Sequence, residues 1–385
     1  MKIRDRMRIE KMNKKTNRLI ILTLLTAVLI SGCTSSSAAS ASSWPGMTLD
    51  NGEGFLAYGP QVYALDLKNG SLLWKYPDEG NSKFQFYAAP EVDDNFVIVG
   101  DYTTTLYGLE RQSGFEKWQF TEAKDRYIAS PLLYNGGVYA PNSDYSLYAL
   151  DENGKLQWQF KASGPNWSKP VTDGSALYLT SMDHYLYALN LSYTEADLTA
   201  DENGNKTVVA APIWSLDLGT AVVSNPVLED GILYVGTVNG VMYAVDVQSH
   251  SILWQFAEQD KVASIWGSPV LTSDAVFFGD ESGNLYALDK ADGSALWPSP
   301  FDAGSSLISS GVAVDGKAVF AASDGKIFSI DSSKEPKTLT TLDVVLYAPL
   351  GYANGNIITV PASSDALVEA LNTNGNQVWT YLPTK

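Results

Sequence analysis

From residue 45 to residue 382, apolar and polar positions alternate in short runs broken by Gly, Asn, Asp and Pro. Residues 147–160, LYALDENGKLQWQF, show the unit most clearly. Leu147, Ala149 and Leu150 bracket Tyr148; Leu156, Trp158 and Phe160 then alternate with Gln157 and Gln159. A period of two predicts a strand with one face on a core. Between the two runs, Asp151-Glu152-Asn153-Gly154 predicts a tight turn, because Asn and Gly both tolerate positive φ.

This hairpin recurs. The third-strand aromatic falls at Tyr63, Tyr107, Tyr148, Tyr187, Tyr243, Tyr286 and Phe328, with Glu369 in the same slot of a last copy. The spacings are 44, 41, 39, 56, 43, 42 and 41, and the long step holds an insertion at 191–211. Tryptophan keeps a second rhythm at Trp74, Trp118, Trp158, Trp214, Trp254, Trp297 and Trp379; the seventh copy lacks its indole. Each copy is preceded by two further short runs. The first opens on a small residue and Pro, as in AAP (88–90), ASP (129–131), SKP (168–170), SNP (224–226), GSP (267–269) and YAP (347–349). Pro suits the first position of a strand, where its missing N–H costs little. The second reads FVIVG (96–100), ILYVG (232–236) or AVFFG (275–279). Four short strands per unit of about 40 residues predict an all-β, eight-bladed β-propeller with four antiparallel strands per blade. A lone four-stranded sheet cannot bury both faces, and radial packing covers them. The seven tryptophans are expected to wedge between neighbouring blades. Each would bury roughly 200 Å², an upper bound of about 5 kcal/mol at 25 cal/mol per Å².

The first 32 residues differ in kind. Eight basic residues precede an apolar or Thr run at 19–30. As a helix that run would reach about 18 Å, short of the roughly 30 Å hydrocarbon core, so residues 1–32 read as a secretory signal peptide. The run ends Leu29-Ile30-Ser31-Gly32-Cys33, and Cys33 is the single cysteine of the chain. This resembles the bacterial lipobox, which implies lipidation of Cys33. Residues 33–43 follow as a Ser/Ala-rich tether of roughly 17 Å root-mean-square reach, and 44–385 form the propeller. The expected place is the bacterial cell envelope, with the exported lipoprotein anchored to a membrane at its periplasmic or extracellular face.

Composition bounds the partners. The 385 residues are 45% apolar and 18% charged, ample for a large core. Without residues 1–32, 18 basic residues face 41 acidic ones, a balance of about −23 that argues against nucleic acid or anionic lipid as a partner. The insertion reads as a surface hairpin. Its DENGN (201–205) resembles a calcium loop but puts Glu202 where the template needs Gly. His184 and His250 sit in turns without a Cys or second His at ligand spacing. Asp66, Asp151, Asp246, Asp289 and Asp331 repeat at the end of the third strand, where a carboxylate accepts from turn N–H groups. No catalytic residue and no metal site is assigned.

The repeats YALDLKNGSLLW (63–74) and YALDENGKLQW (148–158) resemble the pyrroloquinoline-quinone (PQQ) type propeller repeat over nearly all of 44–382. That resemblance implies one of two branches, quinone-dependent dehydrogenases or non-catalytic envelope lipoproteins of the BamB type. The alcohol dehydrogenase branch implies a vicinal Cys pair, a Ca²⁺ held by Glu, Asn and Asp, and a catalytic Asp, and no positions here match them. The chain therefore reads as a lipid-anchored, non-catalytic scaffold or binding module without a cofactor. The alternatives are a divergent PQQ- and Ca²⁺-dependent oxidoreductase and a BamB-like outer-membrane protein assembly factor. In a propeller the residues just before the innermost strands sit at one mouth of a central funnel. Here they are Phe86, Tyr87, Tyr127, Trp167, Trp266, Leu346 and Tyr347, aromatics suited to an envelope protein or a small ligand.

Overall fold

The alternating runs form eight four-stranded antiparallel sheets, spanning 46–76, 91–120, 132–161, 171–217, 227–256, 270–302, 312–341 and 351–381. The structure is a computed structural model that describes residues 45–193, 199–200, 206–207, 209–257, 262–362 and 364–383. Within every sheet the strands pair in chain order. First strands of successive sheets lie side by side: Gly46–Asp50 by Glu91–Val92, Val171–Thr172 by Val227–Glu229, Val312–Val314 by Gly351–Ala353. Gly351–Ala353 then returns to Gly46–Asp50. First strands therefore surround a central channel, and the blades make a closed eight-bladed β-propeller. The fourth blade carries the insertion, in which Thr199–Ala200 pairs with Lys206–Thr207.

The core lies between blades, because each sheet has two apolar faces and a neighbour on either side. Leu106 and Phe120 of one blade merge into one buried cluster with Val138 and Tyr148 of the next. At most interfaces the aromatic of a fourth strand meets the third-strand aromatic of the following blade. The pairs are Tyr76–Tyr107 at 5.9 Å, Phe120–Tyr148 at 5.1 Å, Phe160–Tyr187 at 4.8 Å, Phe256–Tyr286 at 5.9 Å and Phe301–Phe328 at 5.3 Å between ring centres. Each such pair contributes about 0.5–1.5 kcal/mol beyond area burial.

The indoles reach across the same interfaces. Nε1 of Trp74 donates to the Arg111 carbonyl, that of Trp118 to Glu152, of Trp254 to Lys290 and of Trp297 to Ser332. Each acceptor belongs to the third-to-fourth strand hairpin of the next blade. Trp158 instead meets Tyr193 edge-on at 5.0 Å, and Trp214 stacks on His250 at 4.9 Å. Hairpin glycines make room for these rings. Gly154 has φ +77°, and a Cβ on it would lie 2.5 Å from Trp118. The last blade repeats the contact on the first: Trp379 Nε1 donates to the Leu67 carbonyl at 3.1 Å, and Tyr381 meets Tyr63 at 5.8 Å. The ring thus closes between two complete four-stranded blades.

Two places depart from the repeat. In the sixth blade, Pro298 and Pro300 remove ladder donors, so the fourth strand is reduced to a bridge at Ala295 and the pair Phe301–Asp302. Between the seventh and eighth blades both devices are missing. Thr340 and Glu369 hold the aromatic-pair positions, and Leu339 lies under Gly375 where an indole sits elsewhere. Thr359, Glu369 and Thr380 are neighbours across three strands. Thr359 Oγ1, Glu369 Oε2 and Thr380 Oγ1 are all sealed from solvent without a hydrogen-bond partner. Desolvation pushes the Glu369 carboxyl up from its usual range. A cavity of about 280 Å³ lined by Val319, Leu339 and Ile357 opens along the same seam.

Candidate functional site

One end of the channel is a cavity of about 190 Å³ to which all eight blades contribute. Its wall comes from the chain just before each first strand, and burial there alternates with period two. Phe86, Tyr127, Asn166, Val222, Ile265, Leu307 and Leu346 turn back into the inter-blade cores. The residues that follow them line the cavity: Tyr87, Ile128, Trp167, Val223, Trp266, Ile308 and Tyr347. Aromatic side chains come from the second, fourth, sixth and eighth blades, and aliphatic ones from the third, fifth and seventh. Tyr87 therefore stands opposite Trp266, and Trp167 opposite Tyr347. Two rings are visibly braced. Trp167 Nε1 donates to Ser143 Oγ at 3.0 Å, and Tyr87 meets Tyr102 edge-on at 4.8 Å.

Phe86 and Tyr127, expected at this rim, lie elsewhere. Phe86 is fully buried between Tyr76, Phe84 and Tyr107, and Tyr127 is 1% exposed. Leu346 is likewise buried. The reason is register. A strand sends consecutive side chains to opposite sides, and these residues are one position too early. Burial raises the Tyr127 hydroxyl well above the ordinary tyrosine range.

The aliphatic half of the collar, Ile128, Val223 and Ile308, was not anticipated. A signal existed: Tyr87, Ile128, Trp167, Val223 and Trp266 each stand three residues before a Pro. One further step inward in the alternation come Ser130, Lys169, Asn225 and Ser310. Asn225 Oδ1 accepts from the Lys169 backbone N–H at 2.7 Å, and Ser310 Oγ from that of Ser268 at 2.8 Å. Lys169 Nζ donates to Glu91 Oε2 at 2.6 Å, joining the fourth blade to the second past the inner side of the third.

PQQ, the group the repeat resemblance implies, would need partners for its carboxylates and a Ca²⁺ site of six to eight oxygens. The cavity wall carries no charged side chain. Beyond the wall, the ammonium of Lys169 and the carboxylate of Glu91 are spent on each other. Among the described residues no group of three or more His, Cys, Asp or Glu could hold a metal. The lining does not fit that group. The repeated carboxylates serve turns: Asp66 Oδ1 accepts from Lys68 N–H, Asp151 from Asn153 and Lys155, Asp246 from Gln248 and Ser249. His184 and His250 sit in turns at φ 72° and 58°. Cys33, the tether and the DENGN segment lie outside the described residues.

Fold and site together define an eight-bladed propeller of PQQ-like repeats with an uncharged aromatic mouth. The chain belongs to the family described as outer membrane protein assembly factor BamB, which matches residues 59–193 and 198–381. BamB of Escherichia coli strain K12 is 28% identical over 136 residues, which cover 35% of this chain and 33% of that protein. The tetrathionate hydrolase of Acidithiobacillus ferrooxidans is 23% identical over 224 residues, 53% of this chain and 42% of that enzyme. These matches thus span about a third to two fifths of the relatives' own length. The crystal structure of BamB from Moraxella catarrhalis superposes with a TM-score of 0.65 at 17% identity, covering 82% of this chain and 90% of that one. At that identity it speaks for the fold.

Proposed function

We propose that this protein is a lipid-anchored, non-catalytic scaffold of the bacterial envelope that takes part in outer-membrane protein assembly. The observation that carries the reading is the family match over residues 59–193 and 198–381, from the third strand of the first blade to the last strand of the eighth. Two further features support it. The Leu29–Cys33 sequence and the tether behind it supply an anchor that holds the propeller just off a bilayer. The mouth offers braced aromatic surface and a wall without carboxylate, ammonium or imidazole, which suits binding more than turnover.

The test is a Cys33→Ser variant expressed in the native host beside the wild type. The wild type should fractionate with membranes, yield an acylated Cys33 peptide by mass spectrometry, and co-purify with a barrel-assembly protein in mild detergent. The variant should be released and lose that partner. A wild type without acylation would remove the anchor from the account. Turnover of an alcohol or aldose on addition of PQQ and Ca²⁺ would remove its non-catalytic character.

A further inference from the structure

The cavity at the channel mouth constrains its own ligand. Its wall is uncharged. The charged pair beyond it, Lys169 and Glu91, is self-neutralised. An ionic ligand would have to leave water without a counter-charge, which is costly. Anions are disfavoured further by the strongly acidic body. What the wall does offer is mixed in a particular way. Two Trp and two Tyr line it from diametrically placed blades, and Trp167 is fixed in orientation by its bond to Ser143. Among them stand Ser130, Asn225 and Ser310. Asn225 spends its Oδ1 on the Lys169 N–H and keeps its NH₂ to donate; Ser310 accepts from Ser268 and keeps its O–H. Flat apolar platforms beside small neutral hydrogen-bonding groups suit a molecule with apolar C–H faces and hydroxyls on its edges. The volume, about 190 Å³, matches about six waters at ~30 Å³ each. That is room for at least one six-membered sugar ring.

We propose that the channel mouth binds the end of an uncharged glycan, with one sugar ring stacked between the opposed aromatics and its hydroxyls met by Ser130, Asn225 and Ser310. The inference rests on reading the mouth as a binding site and goes beyond the scaffold role by naming a ligand class. A scaffold so equipped would be held against the carbohydrate of its envelope as well as against protein partners.

The test uses the full mature chain in a detergent without a sugar headgroup. Tryptophan emission and calorimetry follow titration with maltotetraose and with an N-acetylglucosamine tetramer. Saturable binding of either is expected, weakened at least tenfold by Trp167→Ala and by Trp266→Ala and less by the two Trp→Phe variants. Phe115→Ser, on an exposed hairpin outside the cavity, should bind as the wild type does. Unfolding midpoints within a few degrees of wild type establish that the variants are folded. Failure of both tetramers to bind would overturn the proposal, as would binding undiminished in a folded double variant. Capture of tetramethylammonium or of a basic peptide in place of the sugars would overturn it too. Loss of glycan binding in Trp167→Ala with the assembly partner still co-purifying supports it. If the partner co-purifies and no glycan binds, this inference falls and the scaffold reading stands.

Discussion

Glu369 occupies the slot that holds an aromatic ring in the other seven blades, and its replacement should stabilise the ring. Its Oε2 is sealed from solvent without a partner, beside Thr359 and Thr380 in the same condition. Leaving a buried charged acceptor unsatisfied costs about 1–3 kcal/mol. Other atoms of the side chain are partly exposed, so the lower end applies. Glu369→Gln should therefore gain about 1 kcal/mol near neutral pH. Glu369→Phe with Thr340→Phe restores the missing pair and adds about 0.5–1.5 kcal/mol, plus the burial of two rings. At roughly 2.1 cal/mol/K per residue the unfolding entropy of such a domain is about 0.7 kcal/mol/K. A gain of about 2–3 kcal/mol then raises Tm by about 3–4 °C. The sign with pH is fixed by the direction of the shift. The native state holds the Glu369 proton more tightly than the unfolded chain does. Wild-type stability must fall as pH rises from the ordinary value of 4.5 through the raised one. Glu369→Gln lacks that loss, so its advantage should be small at pH 4 and full at pH 8. Thermal and urea unfolding at both pH values measure it. A variant less stable than wild type at pH 8, or an advantage equal at both, would show that the carboxylate is satisfied and the reasoning wrong.

Other outcomes follow from the interfaces. Gly154→Ala puts a methyl against Trp118 at a positive φ, so it should cost more than the roughly 1 kcal/mol of a purely conformational change, read as a lower urea midpoint. Trp379→Ala removes the indole that docks on Leu67 and should cost about 3–5 kcal/mol. Hydrogen exchange should then quicken first at residues 61–76 and 368–381, whereas uniform loosening of all blades would refute a local closure. Asp151→Ala removes the acceptor of the Asn153 and Lys155 N–H bonds and should cost about 1 kcal/mol, measurable by the same unfolding assay, with no effect on partner recovery.

The architecture was legible because its signals are local and repeat. Period-two runs, hairpin turns and a Trp in seven of the eight units specify the same strands, and the copies reinforce one another. Glycine at the hairpins could be read from the turn chemistry alone; that Gly154 also clears space for Trp118 depends on how the preceding blade packs against its hairpin. The mouth was half legible. Aromatic residues before each first strand are visible, but a slip of one residue exchanges wall for core. That slip is why Phe86 and Tyr127 belong to the inter-blade packing. Counting back from Pro fixes the register for five blades and fails at the eighth, where Tyr347 stands two before Pro349. The Lys169–Glu91 bond joins blades separated by a third, and nothing local in the sequence marks it.

The most direct measurement of the central claim is recovery of the native protein's partners from envelope membranes in mild detergent, identified by mass spectrometry against a Cys33→Ser control. The account predicts an outer-membrane barrel-assembly protein in stoichiometric amount with the wild type and its absence from the control. Repeated recovery of acylated wild-type protein without any such partner would contradict it.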